Sequence, residues 1–254
     1  MPWLAGVDGC SRGWLVVLMH SSGTQVRIPG VVRDFSAVID LPEHPAIVAV
    51  DMPIGLPERI GLDGRGPEAA VRKILKLRQR AVFPIPSRKA VYAEIGPFAD
   101  QHARYAAHRR ACAIAQATSD PPKRITIQAF CLFEKIRQVD AALRDDTSLA
   151  GRVFETHPEV AFCKFNCDSD LSEPKKKRGR QHEPGLLLRR RLLIGEGLPD
   201  EVVASPAPRG AGADDLLDAL ACAAVARRIY EGKARPFPDP PARDGFGLPM
   251  AIWA

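Results

Sequence analysis

The sequence predicts a mixed α/β layer protein, on three observations. Three short apolar runs separated by turn-rich segments open the chain, over residues 4–8, 14–19 and 25–31. Residues 46–50 are an unbroken apolar run of five, long enough for a strand buried on both faces. Helical stretches dominate from there on, with one more short strand at 152–155. Strands and helices sharing one core form layers, with helices covering a sheet.

Taken in order, segments 9–13 and 21–23 are turn-rich and make the first three runs a meander of hairpins. Asp34 is placed to cap a short helix reaching Asp40. Asp51 closes the fourth run and leads into Met52-Pro53-Ile54-Gly55-Leu56-Pro57. Gly66-Pro67-Glu68 starts a helix, with proline at the first helical position and an acid in the first turn. The pattern predicts that helix to continue to Arg80. Further helices fit 98–117 and 126–143, separated by Asp120-Pro121-Pro122. His157-Pro158 leads into a helix over 159–165, and 185–196 and 213–230 read as helices. The tail 235–248 is rich in Pro and Gly, and 249–253 returns as a final strand. Residues 1–254 read as one domain, with 57–120 as a helical insertion.

The chain is 46% apolar and 26% charged, which excludes a disordered, fibrous or coiled-coil protein and allows a real core. No apolar run approaches the roughly 18 residues that span a bilayer, so no membrane is expected. The first thirty residues lack the cationic start and apolar block of a signal peptide. The six cysteines form no C-x-x-C pair and, with His157 and His182, match no zinc pattern. A cytoplasmic protein with free thiols is the expectation.

The excess positive charge sits in one segment. Residues 172–191 hold Lys175, Lys176, Lys177, Arg178, Arg180, Arg189, Arg190 and Arg191 against only Glu173 and Glu183. Such a cluster suits a phosphate backbone, so nucleic acid, DNA or RNA, is the expected partner. A solvated loop is the alternative.

The acids are placed more tellingly. Asp8, Asp51 and Glu155 each close a strand beside Gly or Pro, at the edge where open α/β sheets place their ligands. Aspartate there is also a common turn former. Asp214 and Asp215 suit a helix N-terminus. Asp218 does not, because it is the only charge between Leu216 and Ala226 in a helix of Ala and Leu. Ionised and unpaired at the edge of a core, it would cost several kcal/mol. Asp215 and Asp218 are three apart and can face one point. A divalent cation shared with Asp8 and Asp51 would supply the counter-charge; a buried hydrogen bond or an arginine is the alternative.

Several motifs together resemble a known family. They are Gly6-Val7-Asp8-Gly9-Cys10 with Gly13-Trp14, Asp51-Met52-Pro53-Ile54-Gly55-Leu56, Phe154-Glu155-Thr156-His157-Pro158-Glu159 and Asp214-Asp215-Leu216-Leu217-Asp218-Ala219. With the Gly185-x-x-x-Arg189-x-x-Leu192-Leu193 spacing, they resemble an uncharacterised family of predicted ribonuclease-H-like nucleases. That family is distantly similar to Holliday-junction resolvases. The resemblance implies a ribonuclease-H-like α/β fold, a mixed five-stranded sheet of order 3-2-1-4-5 flanked by helices. It also implies that Asp8, Asp51, Asp215 and Asp218 bind two metal ions. Glu155 belongs to the family's own pattern and joins these four as a catalytic candidate.

Two Mg²⁺ or Mn²⁺ ions roughly 3.5–4 Å apart activate water and stabilise a pentavalent phosphate, and such hard ions prefer carboxylate oxygens. The expected function is therefore a metal-dependent nuclease. Lys175, Lys176, Lys177, Arg178, Arg180, Arg189 and Arg190 are its expected nucleic-acid contacts. A phosphotransferase of the sugar or acetate kinase type is one rival, with Asp8-Gly9-Cys10-Ser11-Arg12-Gly13 as the phosphate turn. The sequence has no second nucleotide-binding half and no Gly-x-x-x-x-Gly-Lys-Ser loop to support it. A non-catalytic nucleic-acid-binding module, the other rival, would have little reason to keep Asp218. Whether the chain forms a homodimer is left open.

Overall fold

The structure, a computed structural model, describes residues 1–23 and 25–254. β1 (Trp3–Cys10), β2 (Gly13–His20) and β3 (Val26–Val32) form the expected antiparallel meander. α1 (Phe35–Ile39) follows, capped by Asp34, whose carboxylate accepts from Ala37 N at 3.1 Å. β4 (Ile47–Val50) pairs parallel with β1, and β5 (Val153–Glu155) pairs parallel with β4. The sheet order is β3-β2-β1-β4-β5, as expected.

Between β4 and β5 lie α2 (Pro67–Ile74), α3 (Arg88–Val91), α4 (Gln101–Ala117), α5 (Ile127–Cys131) and α6 (Phe133–Asp145). After β5 come α7 (Pro158–Phe165), a hairpin of β6 (Lys176–Lys177) and β7 (Arg180–Gln181), α8 (Glu183–Gly195), α9 (Asp200–Val203) and α10 (Ala213–Tyr230). A second hairpin, β8 (Pro236–Arg243) and β9 (Pro249–Trp253), ends the chain. Among the described residues no helix is long and apolar enough to cross a membrane.

The sheet is the middle layer, and strand alternation sorts its side chains between two cores. Ala5, Val7, Val48 and Val50 face α1, α4 and α6, packing with Phe35, Ala111 and Ile136. Leu15, Val17 and Met19 face the other way, onto Phe162, Leu186 and Leu220. Leu4 and Ala49 share that second face and pack on Cys222 and Ala226 of α10. α10 is therefore buried nearly all round, which its Ala-rich composition permits.

Two local expectations are corrected, and two strand pairings appear that the sequence had not indicated. The helix starting at Pro67 stops at Ile74 rather than Arg80. Its exit is fixed by Leu75, buried with Val71, Val160 and Cys163, and by the Asp170 carboxylate, which accepts from the amides of Leu77 and Arg78. The single helix expected over 126–143 is two, meeting at Leu132. The Pro-rich tail contains a strand, β8, whose ladder shifts between Phe237 and Ala242, so Pro238, Pro240 and Pro241 need donate nothing. The first half of the basic segment is a hairpin rather than a loop.

Candidate functional site

β1 and β4 run side by side in register, Val7 opposite Val50, and the Asp51 amide donates to Val7 O at 2.9 Å. Asp8 and Asp51 are thus neighbours at the carboxyl edge of a parallel pair. Their direction follows from alternation. Gly6 on β1 and Ala49 on β4 face α10, so two residues further on Asp8 and Asp51 face it too. Asp218, directly before Ala219 and one turn before Cys222, comes down on them from the helix.

These three carboxyl groups repel one another in a dry place. Asp8 is 7% exposed and Asp218 3%. Burial, with the charges of Asp51 and Asp218 adding to it, holds the Asp8 carboxyl well above its usual value. Burial raises Asp51 as well, against the pull of His157 and Lys175. It pushes Asp218 up to about 6, with Lys175 pulling down and Asp51 pushing up.

The counter-charge is an ammonium. Lys175 Nζ pairs with Asp218 Oδ2 and is close enough to Asp8 and Asp51 to feel both. Burial alone would lower the Lys175 ammonium; the three carboxylates outweigh it and hold it above its usual value. Asp218 Oδ1 is left buried without a partner among the described residues. Among the described residues, no group of three or more His, Cys, Asp or Glu is disposed to hold a metal ion. The donor type, carboxylate oxygen throughout, is the one that Mg²⁺ and Mn²⁺ prefer.

A family model described as "Protein of unknown function (DUF429)" matches residues 6–243, which takes in every one of these acids. The chain belongs to the DUF429 family. No curated protein and no solved structure matches it.

The other two predicted acids of this DUF429 chain do different work. Asp215 lines the same cavity, but its Oδ2 accepts from Gly212 N at 2.8 Å and so caps α10. Glu155 sits at the cavity margin with its carboxylate committed. It pairs with Arg65 through both oxygens, at 2.6 and 3.1 Å, and accepts from Ile54 N at 2.8 Å. The reason is parity: Glu155 is in register with Val50, so it faces away from α10 and from Asp8 and Asp51. Sequence reasoning missed Glu159 as a site residue. Glu159 lines the cavity, pairs with Arg189 at 2.5 Å, and keeps Oε2 buried without a partner. Its position in the first turn of α7, just after His157-Pro158, was the available signal.

The cavity measures about 470 Å³. The carboxylates form one wall, and Met52, Val82, Phe83 and Ile85 form an apolar one, partly supplied by the predicted insertion. Of the basic candidates in this DUF429 chain, Lys176 lines the cavity and pairs with Asp214 at 2.6 Å, while Lys177 pairs with Glu173 at 3.1 Å. Arg178 and Arg180 are exposed on the hairpin, and Arg190 pairs with Glu183 at 2.9 Å. Two expectations are corrected. Arg189 is 0% exposed, clamped by Glu159, Glu173 O and Gly185 O, so it is an internal ion rather than a phosphate contact. Lys175 points into the acid cluster rather than outward.

Proposed function

We propose that the chain is a metal-dependent phosphodiester hydrolase acting on nucleic acid, on a ribonuclease-H-like sheet. The observation that supports this most is the meeting of Asp8, Asp51 and Asp218 around a positive charge at the carboxyl edge of β1 and β4. One ammonium against three carboxylates, Asp8 and Asp218 buried and Asp51 half-buried, leaves the cluster short of positive charge. That deficit is what a divalent ion would make good.

Asp8, Asp51 and Asp218 would hold Mg²⁺ or Mn²⁺, with Asp215 and Glu159 beside them. When bound, such an ion supplies Lewis-acid stabilisation of the charge that builds on a phosphoryl group under attack. The chain's own residues do the rest. The apolar wall at Met52 and Phe83 limits water in the cavity, and Lys176, Arg178 and Arg180 neutralise flanking phosphates at its mouth. The sheet order and the strand-end acids agree with what the ribonuclease-H-like resemblance implies.

Melting the protein with millimolar Mg²⁺ or Mn²⁺, together with an oligonucleotide cleavage assay, tests the reading. The melting temperature should rise by mass action, and Asp8→Asn should lose both that rise and cleavage. An unchanged melting temperature, with Asp8→Asn cleaving as well as the wild type, would sink it.

A further inference from the structure

The place of Lys175 is not accounted for by that reading. Its ammonium lies where a divalent ion would have to sit, and two cations cannot share the position. We infer that Lys175 is a tethered cation of the carboxylate site, exchanged for the divalent ion, so that ion affinity and the position of the β6–β7 hairpin are linked. The inference rests on the metal reading above and adds the residue that controls entry.

The hairpin is built to let go. Lys175 immediately precedes β6, and Arg178 and Gly179 join the two strands at φ 52° and 76°, the left-handed pair of a tight hairpin turn. Each strand has two residues and, among the described residues, pairs with nothing else in a sheet, and a lone two-stranded hairpin is marginally stable in water. Side chains hold it to α10: Lys175 to Asp218, Lys176 to Asp214 at 2.6 Å, and Gln181 to Asp214 at 3.2 Å. Asp214 and Asp218 are one helical turn apart, so the grips of both lysines face one side of α10.

The hairpin is fixed just before Lys175. Arg189 Nη1 donates to Glu173 O at 3.1 Å, whereas His182 N, donating to Lys175 O at 2.9 Å, only ties the hairpin's two arms together. A Cβ on Gly185 would lie 2.0 Å from the carbonyl oxygen of Pro174, so α8 and the incoming chain touch backbone to backbone. A fixed base with a tip held by ion pairs is a flap. Lys175 leaves Asp218 behind with an already unpartnered Oδ1, ready to bind a replacement cation.

While Lys175 occupies the site, only the fraction of molecules with the flap lifted can take an ion, and apparent affinity falls by that fraction. The test titrates Mn²⁺ into metal-free wild type, Lys175→Met, and the double variant Lys176→Ala/Gln181→Ala, reading calorimetric Kd and melting temperature. Lys175→Met should melt lower without metal, because buried Asp218 loses its partner and Asp8 and Asp51 lose a nearby counter-charge, and should bind Mn²⁺ about tenfold more tightly. The double variant keeps Lys175 but loosens the flap, and should bind about threefold more tightly. It decides the matter if Lys175→Met does not fold. Amide hydrogen exchange at residues 176–181 of the wild type should speed up on adding Mn²⁺. Equal Kd in all three proteins, or a Lys175→Met melting loss that Mn²⁺ does not recover while wild type binds it, overturns the inference and leaves the metal reading standing. If Mn²⁺ binds none of them, both fall.

Discussion

A Cβ on Gly6 would lie 2.1 Å from the backbone nitrogen of Ala223 and 2.3 Å from the carbonyl oxygen of Ala219. β1 and α10 therefore meet backbone to backbone, with no side chain between them. That contact sets the height of α10 over the sheet. Asp8 lies two residues along the strand from Gly6, and Asp218 directly precedes Ala219. The distance between their carboxyl groups is thus fixed by the smallest side chain available.

Gly6→Ala should therefore damage stability and site together. Neither backbone can shift cheaply, so the cost is on the order of 3 kcal/mol, a drop in melting temperature of roughly 6–12 °C for a chain of this size. Gly195, at the end of α8, has nothing within 4 Å of the same added atom. Gly195→Ala should stabilise by about 0.5–1 kcal/mol. Thermal melts of the pair check the contrast. A Gly6→Ala protein that melts like the wild type would show that α10 is free to move off β1.

The acid cluster should make the metal-free protein lose stability as pH rises. Asp8 and Asp218 have folded-state pKa values above the unfolded value of 3.8, Asp218 at about 6 and Asp8 shifted in the same direction. In that range the folded state holds protons that the unfolded state has released. Their stabilisation is complete below about pH 4 and is lost as pH rises through the folded-state values. Asp8→Asn removes one of the repelling charges. Without metal, its stability should match the wild type near pH 4 and exceed it near pH 8, by on the order of 1 kcal/mol, with its melting temperature moving the same way. Melts across that range would refute the cluster if Asp8→Asn were no more stable at the alkaline end.

How much of this was legible depends on what each residue's neighbours reveal. Asp8 and Asp51 could be read because each ends an apolar run, and Asp218 because it interrupts an Ala/Leu helix that cannot be solvated. The counter-charge could not be read. Lys175 belongs to a run of basic residues, and a run resembles a solvated surface whichever member turns inward. Arg189 was hidden the same way beside Arg190 and Arg191. Glu155 misled for another reason: β5 has three residues, too short for alternation to say which face the acid occupies. The stop of α2 at Ile74 depends on Asp170, far along the chain, and nothing local signals it.

Glu155→Gln should separate structure from chemistry. Glu155 and Glu68 together neutralise Arg65, whose side chain is fully buried. Removing one carboxylate leaves that guanidinium with Glu68, 2.7 Å away, as its charged partner, beside the carbonyls of Ile54 and Gly55. The loss should be about 3 kcal/mol, at the low end for a broken buried pair. The melting rise with Mn²⁺ should survive, because Glu155 faces away from Asp8 and Asp51. A variant that melts normally but no longer cleaves would instead place Glu155 at the reacting phosphate.

The basic segment should divide into two halves with opposite signatures. Arg178 and Arg180 are exposed on the hairpin that carries Lys176, a residue of the cavity lining, so their role can only be toward a partner or solvent. If they contact phosphates, Arg178→Ala/Arg180→Ala should weaken polynucleotide binding and flatten its salt dependence by about 0.9 per lost contact on a duplex. Melting should hardly change, since exposed charges contribute little to stability. Arg189 is the reverse case. Its guanidinium joins Glu159 on α7 to two carbonyls that anchor the hairpin, and Arg189→Ala would strand the Glu159 carboxylate in a dry place. That should cost about 3–5 kcal/mol while leaving the salt slope of any residual binding unchanged. Filter binding across salt concentrations, beside thermal melts, reads both quantities for both variants. A slope that flattens for Arg189→Ala and stays fixed for the hairpin pair would mean the nucleic acid approaches from the α8 side, and the proposed mouth would be wrong.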